Sequence, residues 1–394
     1  MHRILACSWL LAALASPRAE KAPQIVHRPL LVGYFPQWGV YAHPAYHVKD
    51  MVRSGAAALL DQLDYAQGAV RNDRCAVADP NADLNVTFSA ADSVDGVADD
   101  AAQPLRGNFH QLQELKRRYP KLRILISLEG KAGRFASAAK PAHRAAFVSS
   151  CVNLFLRGGF APGGEGIFDG IDIDWEYPKL RERANAVALV DEFRRQMDAL
   201  RPGLVLSVTG PAGREHYDQM DLAAIAQAAD LVGVMNYDYN GPWSGDTGLL
   251  APLFDVNGDP TPDNTVDATI RGYLAAGVPA EKLLMGIPFY AYRWDRVKDE
   301  NHGLFQHGKK VKEDQPYHYI ESIEGHFSQY RDEHSQAPWL YDGVSFWTYD
   351  DAVSIRKKME YERGLQLGGV MVWELSGDTE DGALLRSIAS SWGR

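Results

Sequence analysis

Short apolar runs alternate with longer amphipathic segments along most of this 394-residue chain. The runs are rich in branched residues, which is typical of strands buried on both faces of a parallel sheet. They lie at 30–35, 62–67, 122–128, 170–175, 204–209, 231–236, 283–288 and 369–373. Helical periodicity is found between most of them, for example at 111–118, 141–156, 180–200, 221–229 and 266–276. Eight strands joined by crossover helices predict an α/β fold, the closed (β/α)8 or TIM barrel, whose functional residues lie at the carboxyl ends of the strands.

Two stretches interrupt this alternation. Residues 71–107 are polar and rich in Asp and Ala, which predicts a long loop after the second strand. Residues 292–341, between the seventh and eighth runs, are rich in aromatic residues, His and charge. Their strand-like pieces predict a small α+β insertion that walls a cleft, set in a barrel made of residues 28–291 and 342–394. A floppy loop is the alternative, and the aromatic content argues against it.

The start of the chain has the pattern of a secretory signal. His2 and Arg3 form a weakly basic beginning, residues 4–15 are apolar, and a small residue, Ala19, offers a cleavage site. The pattern predicts that residues 1–19 are a signal peptide and that the protein is secreted, to the extracellular space or the periplasm. The apolar stretch is too short to cross a bilayer, and no other segment has the composition of a membrane span.

The net charge of −10 restricts the partners of the chain. Binding of nucleic acid requires clustered Lys and Arg, so we expect no nucleic acid partner. A polyanionic substrate is disfavoured for the same reason, whereas a neutral polymer is compatible with the charge.

Beyond the signal, the chain has two cysteines, Cys75 and Cys151. In an oxidising compartment they could form a disulfide bond. Two buried free thiols are an equally open alternative at this point.

The run DGIDIDWEYP, residues 169–178, concentrates acidic residues. Asp172, Asp174 and Glu176 are spaced by two, so a β-strand places them on one face. Two unit charges about 4 Å apart repel by about 4 kcal/mol at an effective dielectric constant near 20. Such repulsion raises the pKa of neighbouring carboxyl groups, and a raised carboxyl pKa is what a general acid needs near neutral pH.

Two other interpretations of these acids are open from the run alone. An amphipathic strand with a solvated acidic face has the same alternation, although like charges on one face destabilise a strand. A Mg²⁺ or Ca²⁺ site, as in a metal-dependent phosphohydrolase, is the third interpretation, because carboxylates suit those ions. The chain has no His pair with metal-ligand spacing and no nucleotide-binding fingerprint, so we expect neither a metal nor an organic cofactor.

Aromatic residues fall near the expected carboxyl ends of the strands. Tyr34 and Trp38 follow the first run, Trp243 follows the sixth, and Trp373 ends the eighth. Aromatic side chains clustered at a barrel mouth suit a carbohydrate, which offers flat C–H faces and many hydroxyl groups. Ordinary core packing is the competing interpretation for each of them taken singly.

The run DGIDIDWEYP resembles the catalytic signature of the family 18 glycoside hydrolases, the chitinases, whose pattern is D-x-x-D-x-D-x-E. Other segments resemble landmarks of the same family in the same order: VGYFPQW, LDYAQGAV, MNYDYNGPW, GVPAEKLLMGIPFY and YDDAVSIRKKMEYERGLQLGGVMVWELSGD. The resemblance covers nearly the whole mature chain.

The resemblance implies a role for each residue of the signature. Glu176 is the expected general acid, Asp174 the residue that holds the substrate acetamido group, and Asp172 its inner charge partner. Tyr237 is expected to bond the acetamido oxygen, and Asp169, together with Ser127, is expected to support the signature. The substrate-binding residues that the aromatic pattern and the resemblance indicate are Asp169, Tyr34, Trp38, Met235, Asp238, Trp243, Tyr290, Arg293 and Trp373.

The resemblance also implies the reaction. Substrates would be β-1,4-linked N-acetylglucosamine polymers, chitin or its oligosaccharides, cleaved with retention by an enzyme that we expect to be a monomer. A second carboxylate nucleophile is replaced in this family by the substrate's own acetamido oxygen. The alternatives are an endo-β-N-acetylglucosaminidase acting on the N-glycan core or on peptidoglycan, and a non-catalytic chitin-binding lectin. The presence of Glu176 argues against the lectin.

Two positions depart from the family pattern. The third strand of the family commonly ends S-x-G-G, whereas this chain has Glu129 at the first of the two glycine positions. That carboxylate could reshape the cleft or merely face solvent. The family often has Y-G-R after the seventh strand, and here Arg293 stands one position late, so its contact with substrate is in question.

Overall fold

Eight parallel strands close into a barrel in the computed structural model, which describes residues 28–100 and 102–394. The predicted signal peptide, residues 1–19, lies outside the described residues. The barrel strands are β1 (Leu30–Pro36), β2 (Gln62–Arg71), β4 (Arg123–Lys131), β5 (Gly170–Glu176), β6 (Val205–Gly210), β7 (Leu231–Val234), β8 (Leu283–Pro288) and β14 (Gly369–Trp373). Their order is β1-β14-β8-β7-β6-β5-β4-β2, and the pairing of β1 with β2 closes the ring. The predicted (β/α)8 barrel is therefore confirmed.

The remaining strands are β3 (Arg74–Val77), β9 (Tyr290–Asp295), β10 (Lys309–Pro316), β11 (Ser328–Arg331), β12 (Pro338–Tyr341) and β13 (Phe346–Thr348). The helices are α1 (Val48–Arg53), α2 (Ala56–Leu59), α3 (Gly107–Arg118), α4 (Ala132–Ala138), α5 (Arg144–Cys151), α6 (Arg183–Leu200), α7 (Arg214–Tyr217), α8 (Leu222–Ala228), α9 (Val266–Ala275), α10 (Tyr317–Ile323), α11 (Ala352–Leu365) and α12 (Ala383–Ser391). Short 3₁₀ or π turns occur at Gln37–Tyr41, Asn81–Asn85, Val152–Leu156, Leu180–Glu182, Ala280–Lys282, Asn301–Gly303, Glu324–His326 and Leu375–Gly377. None of the helices in the described part of the chain combines the length and the apolar character needed to cross a membrane.

Apolar side chains form one layer inside the barrel and another between the strands and the helices. Val32, Leu284 and Met371 lie inside the barrel, and all three are buried. Phe147 and Phe193 lie in the outer layer, where their rings pack edge to face. Since both faces of each barrel strand are covered, the apolar runs of the sequence are nearly continuous, as parallel strands require.

Polar caps define where several helices begin. Thr265 accepts a hydrogen bond from the amide of Ala268 at the start of α9, and Asp221 accepts one from Ala224 at the start of α8. Each cap satisfies a backbone N–H that has no partner within its helix. These caps mark where the segments that follow β6 and β7 end, and those segments form part of the barrel mouth.

The segment after β2 is not one long loop, as the sequence predicted. It turns back at once into β3, which pairs antiparallel with β2. Asn72 and Asp73 form the two-residue turn, and both have positive φ angles of 50° and 55°. Asn and Asp tolerate this left-handed conformation, and a two-residue turn of that kind matches the twist of a hairpin.

A five-stranded antiparallel sheet is inserted between β8 and β14, the seventh and eighth strands of the barrel. Its order is β10-β9-β13-β12-β11, and α10 lies between β10 and β11 in the chain. Trp294, Trp339 and Phe346 form its own buried cluster. The predicted α+β insertion is confirmed, and its strands run beyond the predicted limits of 292–341 at both ends. That this insertion is a subdomain of its own stays a prediction.

Cys75 on β3 and Cys151 at the end of α5 form a disulfide bond, with their Cα atoms 4.9 Å apart. The choice between a disulfide and two free thiols, open from the sequence, is settled in favour of pairing. The bond fastens the β2–β3 hairpin to the helix layer of the barrel.

Removing this disulfide should lower the free energy of unfolding substantially. The bond closes a loop with a sequence separation of 76 residues. Chain-entropy arguments for a loop of that length give about 4 kcal/mol of stabilisation. We expect the double variant Cys75→Ser/Cys151→Ser to show this loss in urea unfolding, and reduced wild-type protein to show a similar one. A loss below about 1 kcal/mol would contradict the expectation.

Candidate active site

Three carboxylates extend along one face of β5 toward its carboxyl end. Asp172 is fully buried, Asp174 is 9 % exposed, and Glu176 is open to solvent. Ile171 and Ile173, on the opposite face, are buried in the layer beneath the helices. The apolar face of the strand therefore packs beneath the helices, while its acidic face is directed toward the barrel mouth.

Asp172 is held by three hydroxyl groups, two from the adjacent strands β4 and β6 and one from β1 across the barrel. Its Oδ2 accepts hydrogen bonds from Ser127 Oγ at 2.8 Å and from Tyr34 OH at 3.0 Å. Thr209 Oγ1 donates from 3.3 Å. Burial raises the pKa of Asp172, while these hydrogen bonds oppose that shift because they favour the ionised form. Ser127 therefore supports the acidic run through Asp172.

Asp174 and Glu176 both have raised pKa values. For Asp174 the causes are burial, then the charges of Glu176, Asp172 and Glu129. For Glu176 the pKa is raised by desolvation, then by the charges of Glu129 and Asp238. Oδ1 of Asp174 is buried and has no hydrogen-bond partner among the described residues. Glu176 therefore stays protonated to a higher pH than an ordinary Glu. Oδ1 of Asp174 is a hydrogen-bond acceptor without a donor among the described residues.

Asp64 is a further buried carboxyl group of the barrel interior that the sequence analysis did not single out. It is in register with Tyr34 on the neighbouring strand, and its Oδ1 accepts a hydrogen bond from Gln62 Nε2 at 2.8 Å. Its pKa is raised well above the ordinary value by burial and by the charge of Asp172. The alternation of Gln62 and Asp64 within an apolar run was the signal that could have revealed it.

The raised pKa of Asp64 predicts how stability depends on pH. Asp64 binds its proton more tightly in the folded than in the unfolded chain, so this group lowers the free energy of unfolding as pH rises above about 4. Asn at this position cannot titrate and keeps an acceptor for Gln62. We therefore expect Asp64→Asn to stabilise the protein more at about pH 8 than at about pH 5 in urea unfolding. An equal effect at both pH values would contradict this.

The segment after β7 brings three predicted residues to the acids. Met235 and Tyr237 are buried in the inner apolar cluster beneath the mouth. Asp238 accepts a hydrogen bond from Tyr290 OH at 2.6 Å, and the rings of Tyr237 and Tyr290 meet edge to face at 5.9 Å. Asp238 therefore forms part of a polar rim at the barrel mouth, above the aromatic rings of Tyr237 and Tyr290.

Aromatic side chains cover both ends of this arrangement. Trp373 lies 5.4 Å from Tyr34 and 6.2 Å from Trp38, between ring centroids. On the other side Trp243, which is 53 % exposed, packs edge to face against Tyr292. Exposed indole rings of this kind are suited to stacking on sugar rings.

The structure keeps two predicted residues away from this arrangement. Asp169 precedes β5 and pairs with Lys116 at 2.5 Å, at the amino end of the barrel. A strand of seven residues is about 23 Å long, so Asp169 and Glu176 lie at opposite ends. Arg293 pairs with Asp295, and its guanidinium lies over Trp347 at 5.2 Å. The predicted substrate contact of Asp169 is corrected, because its side chain lies at the far end of the barrel, whereas that of Arg293 stays a prediction.

A cavity of about 600 Å³ opens at the carboxyl ends of the strands. Its lining residues that the sequence predicted are Tyr34, Asp174, Glu176, Met235, Tyr237, Asp238, Trp243, Tyr290 and Trp373. Lining residues that it missed include Tyr177, Glu215, His216, Asn264, Tyr292 and Asp314. Four of these lie in α7, β9 and β10 and two in connecting segments, so only the folded chain brings them together. Tyr177, whose ring stacks on His216 at 5.0 Å, lies within the acidic run and could have been found there.

Residues 30–378 match the model of the glycosyl hydrolases family 18. The chain belongs to this family. It is 35 % identical to chitinase C of Streptomyces lividans and 33 % identical to chitinase 63 of Streptomyces plicatus, with 89 % and 91 % of this chain covered. It spans 58 % and 60 % of the lengths of those two relatives.

The family resemblance extends to solved structures. The catalytic domain of a psychrophilic chitinase B from Arthrobacter TAD20 superposes with a TM-score of 0.86 at 33 % identity, and covers 92 % of this chain and 95 % of that one. A family 18 N-acetylglucosaminidase from Paenibacillus barengoltzii superposes with a TM-score of 0.73 at 27 % identity, over 92 % of this chain and all of that one. Within residues 28–100 and 102–394, no three His, Cys, Asp or Glu side chains are grouped like metal ligands.

Proposed function

We propose that this protein is a secreted, monomeric chitinase that hydrolyses β-1,4-linked N-acetylglucosamine polymers with retention of configuration. The observation that carries the proposal is Asp174. Its buried Oδ1 lacks a donor among the described residues and lies beside Glu176 in an aromatic-walled cavity. The amide N–H of a substrate acetamido group is the donor that this acceptor requires, because a buried polar atom without a partner costs about 1–3 kcal/mol.

In the first step Glu176 donates its proton to the glycosidic oxygen. The acetamido carbonyl oxygen of the same sugar attacks the anomeric carbon as the bond to the leaving sugar breaks. A cyclic oxazolinium ion forms, with its positive charge on the former amide. Asp174 accepts the amide N–H and offsets that charge, while the Tyr237 hydroxyl group orients the amide oxygen.

In the second step a water molecule enters where the leaving sugar was. Glu176, now a carboxylate, accepts a proton from this water, whose oxygen attacks the anomeric carbon. The bond to the acetamido oxygen breaks, and the product has the original anomeric configuration. The hydroxyl groups of Ser127 and Tyr34 hold Asp172 in place beneath Asp174 throughout.

The raised pKa of Glu176 predicts the shape of the pH profile. The reaction needs Glu176 protonated in the free enzyme, so kcat/KM falls as pH rises through its pKa. Desolvation and the charges of Glu129 and Asp238 raise this pKa. We expect the basic limb of kcat/KM for chitotetraose to lie above the ordinary Glu value of about 4.3. A decline centred near about 4.3 would contradict the assignment.

The function itself is tested by a time course of chitohexaose products resolved by anomer. Retention yields the β-anomer first, which then mutarotates. Initial release of the α-anomer would contradict substrate assistance, and binding without turnover would indicate a lectin. Parallel assays on a high-mannose glycopeptide and on murein test the N-glycan core and peptidoglycan as substrates. Faster cleavage of either one than of chitohexaose would contradict chitin as the substrate.

Compartment and oligomeric state complete the proposal. The Cys75–Cys151 disulfide supports an oxidising compartment, because disulfides are rare in the cytosol. A single chain supplies the acids and the aromatic walls of the cavity, which supports a monomer. Fractionation of a producing culture and light scattering of the purified protein test the two statements.

A further inference from the structure

The turn that carries Trp38 has little to hold it within its own sequence. It is the 3₁₀ turn Gln37–Tyr41, which follows β1 directly and receives no side-chain cap from the residue before it, Pro36. A 3₁₀ turn has poorer hydrogen-bond geometry than an α-helix. Trp38 is 40 % exposed, and its ring lies 6.2 Å from that of Trp373, which lines the cavity. The direction of the Trp38 ring must therefore depend on contacts from outside the turn.

Gln37, the neighbour of Trp38, is held by buried polar groups. Its Nε2 donates hydrogen bonds to Asp83 Oδ2 at 2.5 Å and to the carbonyl oxygen of Gln67 at 3.3 Å. Its own carbonyl oxygen accepts a hydrogen bond from Asn108 Nδ2 at 3.3 Å. Gln37, Asp83 and Asn108 are all buried. Because water is excluded there, these hydrogen bonds are stronger than they would be at the surface, and they fix the start of the turn.

Asp83 is itself held in place, so it can serve as the fixed partner of Gln37. Its Oδ1 accepts a hydrogen bond from the hydroxyl group of Tyr65 on β2. Gly107, at the start of α3, has a φ of 66°, and a Cβ atom there would lie 2.4 Å from the carbonyl carbon of Asp83. The backbone of Asp83 is therefore packed directly against α3. Its carboxyl group connects a barrel strand with the turn of Trp38, and the proposed chemistry does not use it.

We propose that Asp83 is a positioning residue, which through Gln37 sets the orientation of the Trp38 ring and so strengthens the binding of substrates long enough to extend past Trp373. This inference rests on the proposed function, because it concerns substrates of the same cleft. A carboxylate accepts hydrogen bonds from Gln37 and Tyr65 at once. An indole ring that is already held in its binding orientation binds a sugar without the cost of ordering its side chain.

The test compares a long substrate with a short one. Chitohexaose can extend over Trp38, whereas a chitobiose glycoside with a fluorescent leaving group is confined to the sugars nearest Glu176. We expect Asp83→Ala to raise KM for chitohexaose by about three- to tenfold, as for the loss of part of one aromatic stacking contact. Its kcat should change by less than about twofold. Both constants for the chitobiose glycoside should stay at their wild-type values, which a general loss of structure would not produce.

Two further variants show whether the effect passes through Trp38. In a Trp38→Ala background no ring is left to position, so adding Asp83→Ala should raise KM for chitohexaose no further. Asp99→Ala is the matched control, because it removes another carboxyl group of the same segment whose side chain is shielded from solvent. Asp99 accepts hydrogen bonds from Gln103 Nε2 at 2.9 Å and from the amide of Phe88 at 2.8 Å, and KM should stay at the wild-type value in Asp99→Ala.

Three results would overturn the inference. They are an equal rise in KM from Asp83→Ala with and without Trp38, a similar rise in Asp99→Ala, and a parallel rise for the chitobiose glycoside. Should Asp83→Ala fail to fold, Asp83→Asn decides, since Asn keeps the size of the side chain but only one oxygen acceptor.

For Asp83→Asn we expect KM for chitohexaose to rise about twofold, and only when Trp38 is present. A wild-type KM in that variant would overturn the inference. Wild-type cleavage of chitohexaose reports on the proposed function separately. If it is absent, both proposals fail, and if it persists with a KM that does not depend on Asp83, only this one does.

Discussion

Replacing Glu176 with Gln should remove nearly all turnover while oligosaccharide binding is retained. Gln has the shape of a protonated Glu but cannot release a proton to the glycosidic oxygen. General acid catalysis contributes about 10²–10⁴-fold, so we expect kcat on chitotetraose to fall by about three orders of magnitude. Binding depends on the aromatic walls and on Asp174, which the change does not touch. Titration calorimetry with chitotetraose should therefore give a Kd close to the wild-type value.

The Glu176→Gln result has a direct control in Glu165→Gln, which makes the same chemical change at the other end of the barrel. That variant should keep wild-type turnover. Turnover near wild type in Glu176→Gln would contradict the assignment of Glu176 as the general acid. A loss of both binding and turnover, with a changed circular dichroism spectrum, would attribute the effect to folding and would equally contradict the assignment.

The periodicity of the sequence was sufficient to predict the barrel, because a strand that is buried on both faces is a nearly continuous apolar run. The run 170–175 is apolar apart from its acids, and the structure places β5 at Gly170–Glu176. The spacing of two also placed Asp172, Asp174 and Glu176 on one face without any knowledge of the fold. Such local rules depend only on backbone geometry, which is why they transferred directly to the structure.

Other features depended on contacts that no local rule describes. Asp169 shares the acidic run but precedes the strand, so its side chain meets Lys116 at the opposite end of the barrel. Arg293 lies in the expected part of the chain, but its side chain forms an ion pair with Asp295, two residues later on the same strand. Glu215 reaches the cavity from α7 and Asp314 from β10, two elements far apart in the chain. Their positions follow from tertiary packing and not from spacing in the sequence.

The pairing of Cys75 with Cys151 is of the same kind. The two residues are 76 positions apart, and their proximity requires the hairpin turn at Asn72 and Asp73. The polar composition of that segment predicted a loop, which left a disulfide and two free thiols equally open. Recognition of two consecutive turn-forming residues after a strand would have predicted β3 and brought Cys75 toward the helix layer.

Replacing Asp174 with Asn should lower the rate strongly with a much smaller effect on binding. Asn keeps the size of the side chain and one oxygen acceptor for the amide N–H. It loses the negative charge that offsets the oxazolinium ion, and this charge matters only as that ion forms. Loss of one preorganised electrostatic partner of a transition state costs about 10²–10³-fold in kcat. We expect a fall of that size on chitotetraose, with KM changed by less than about threefold.

Asp169→Asn is the matched control for this prediction, because it makes the same change within the same acidic run but at the amino end of β5. It should lower stability through the lost ion pair with Lys116 and leave kcat near wild type. Equal losses of binding and rate in Asp174→Asn would mean that the carboxylate acts on the ground state and not on the developing charge. The split between kcat and KM therefore decides whether Asp174 stabilises the ion that distinguishes substrate assistance from a carboxylate nucleophile.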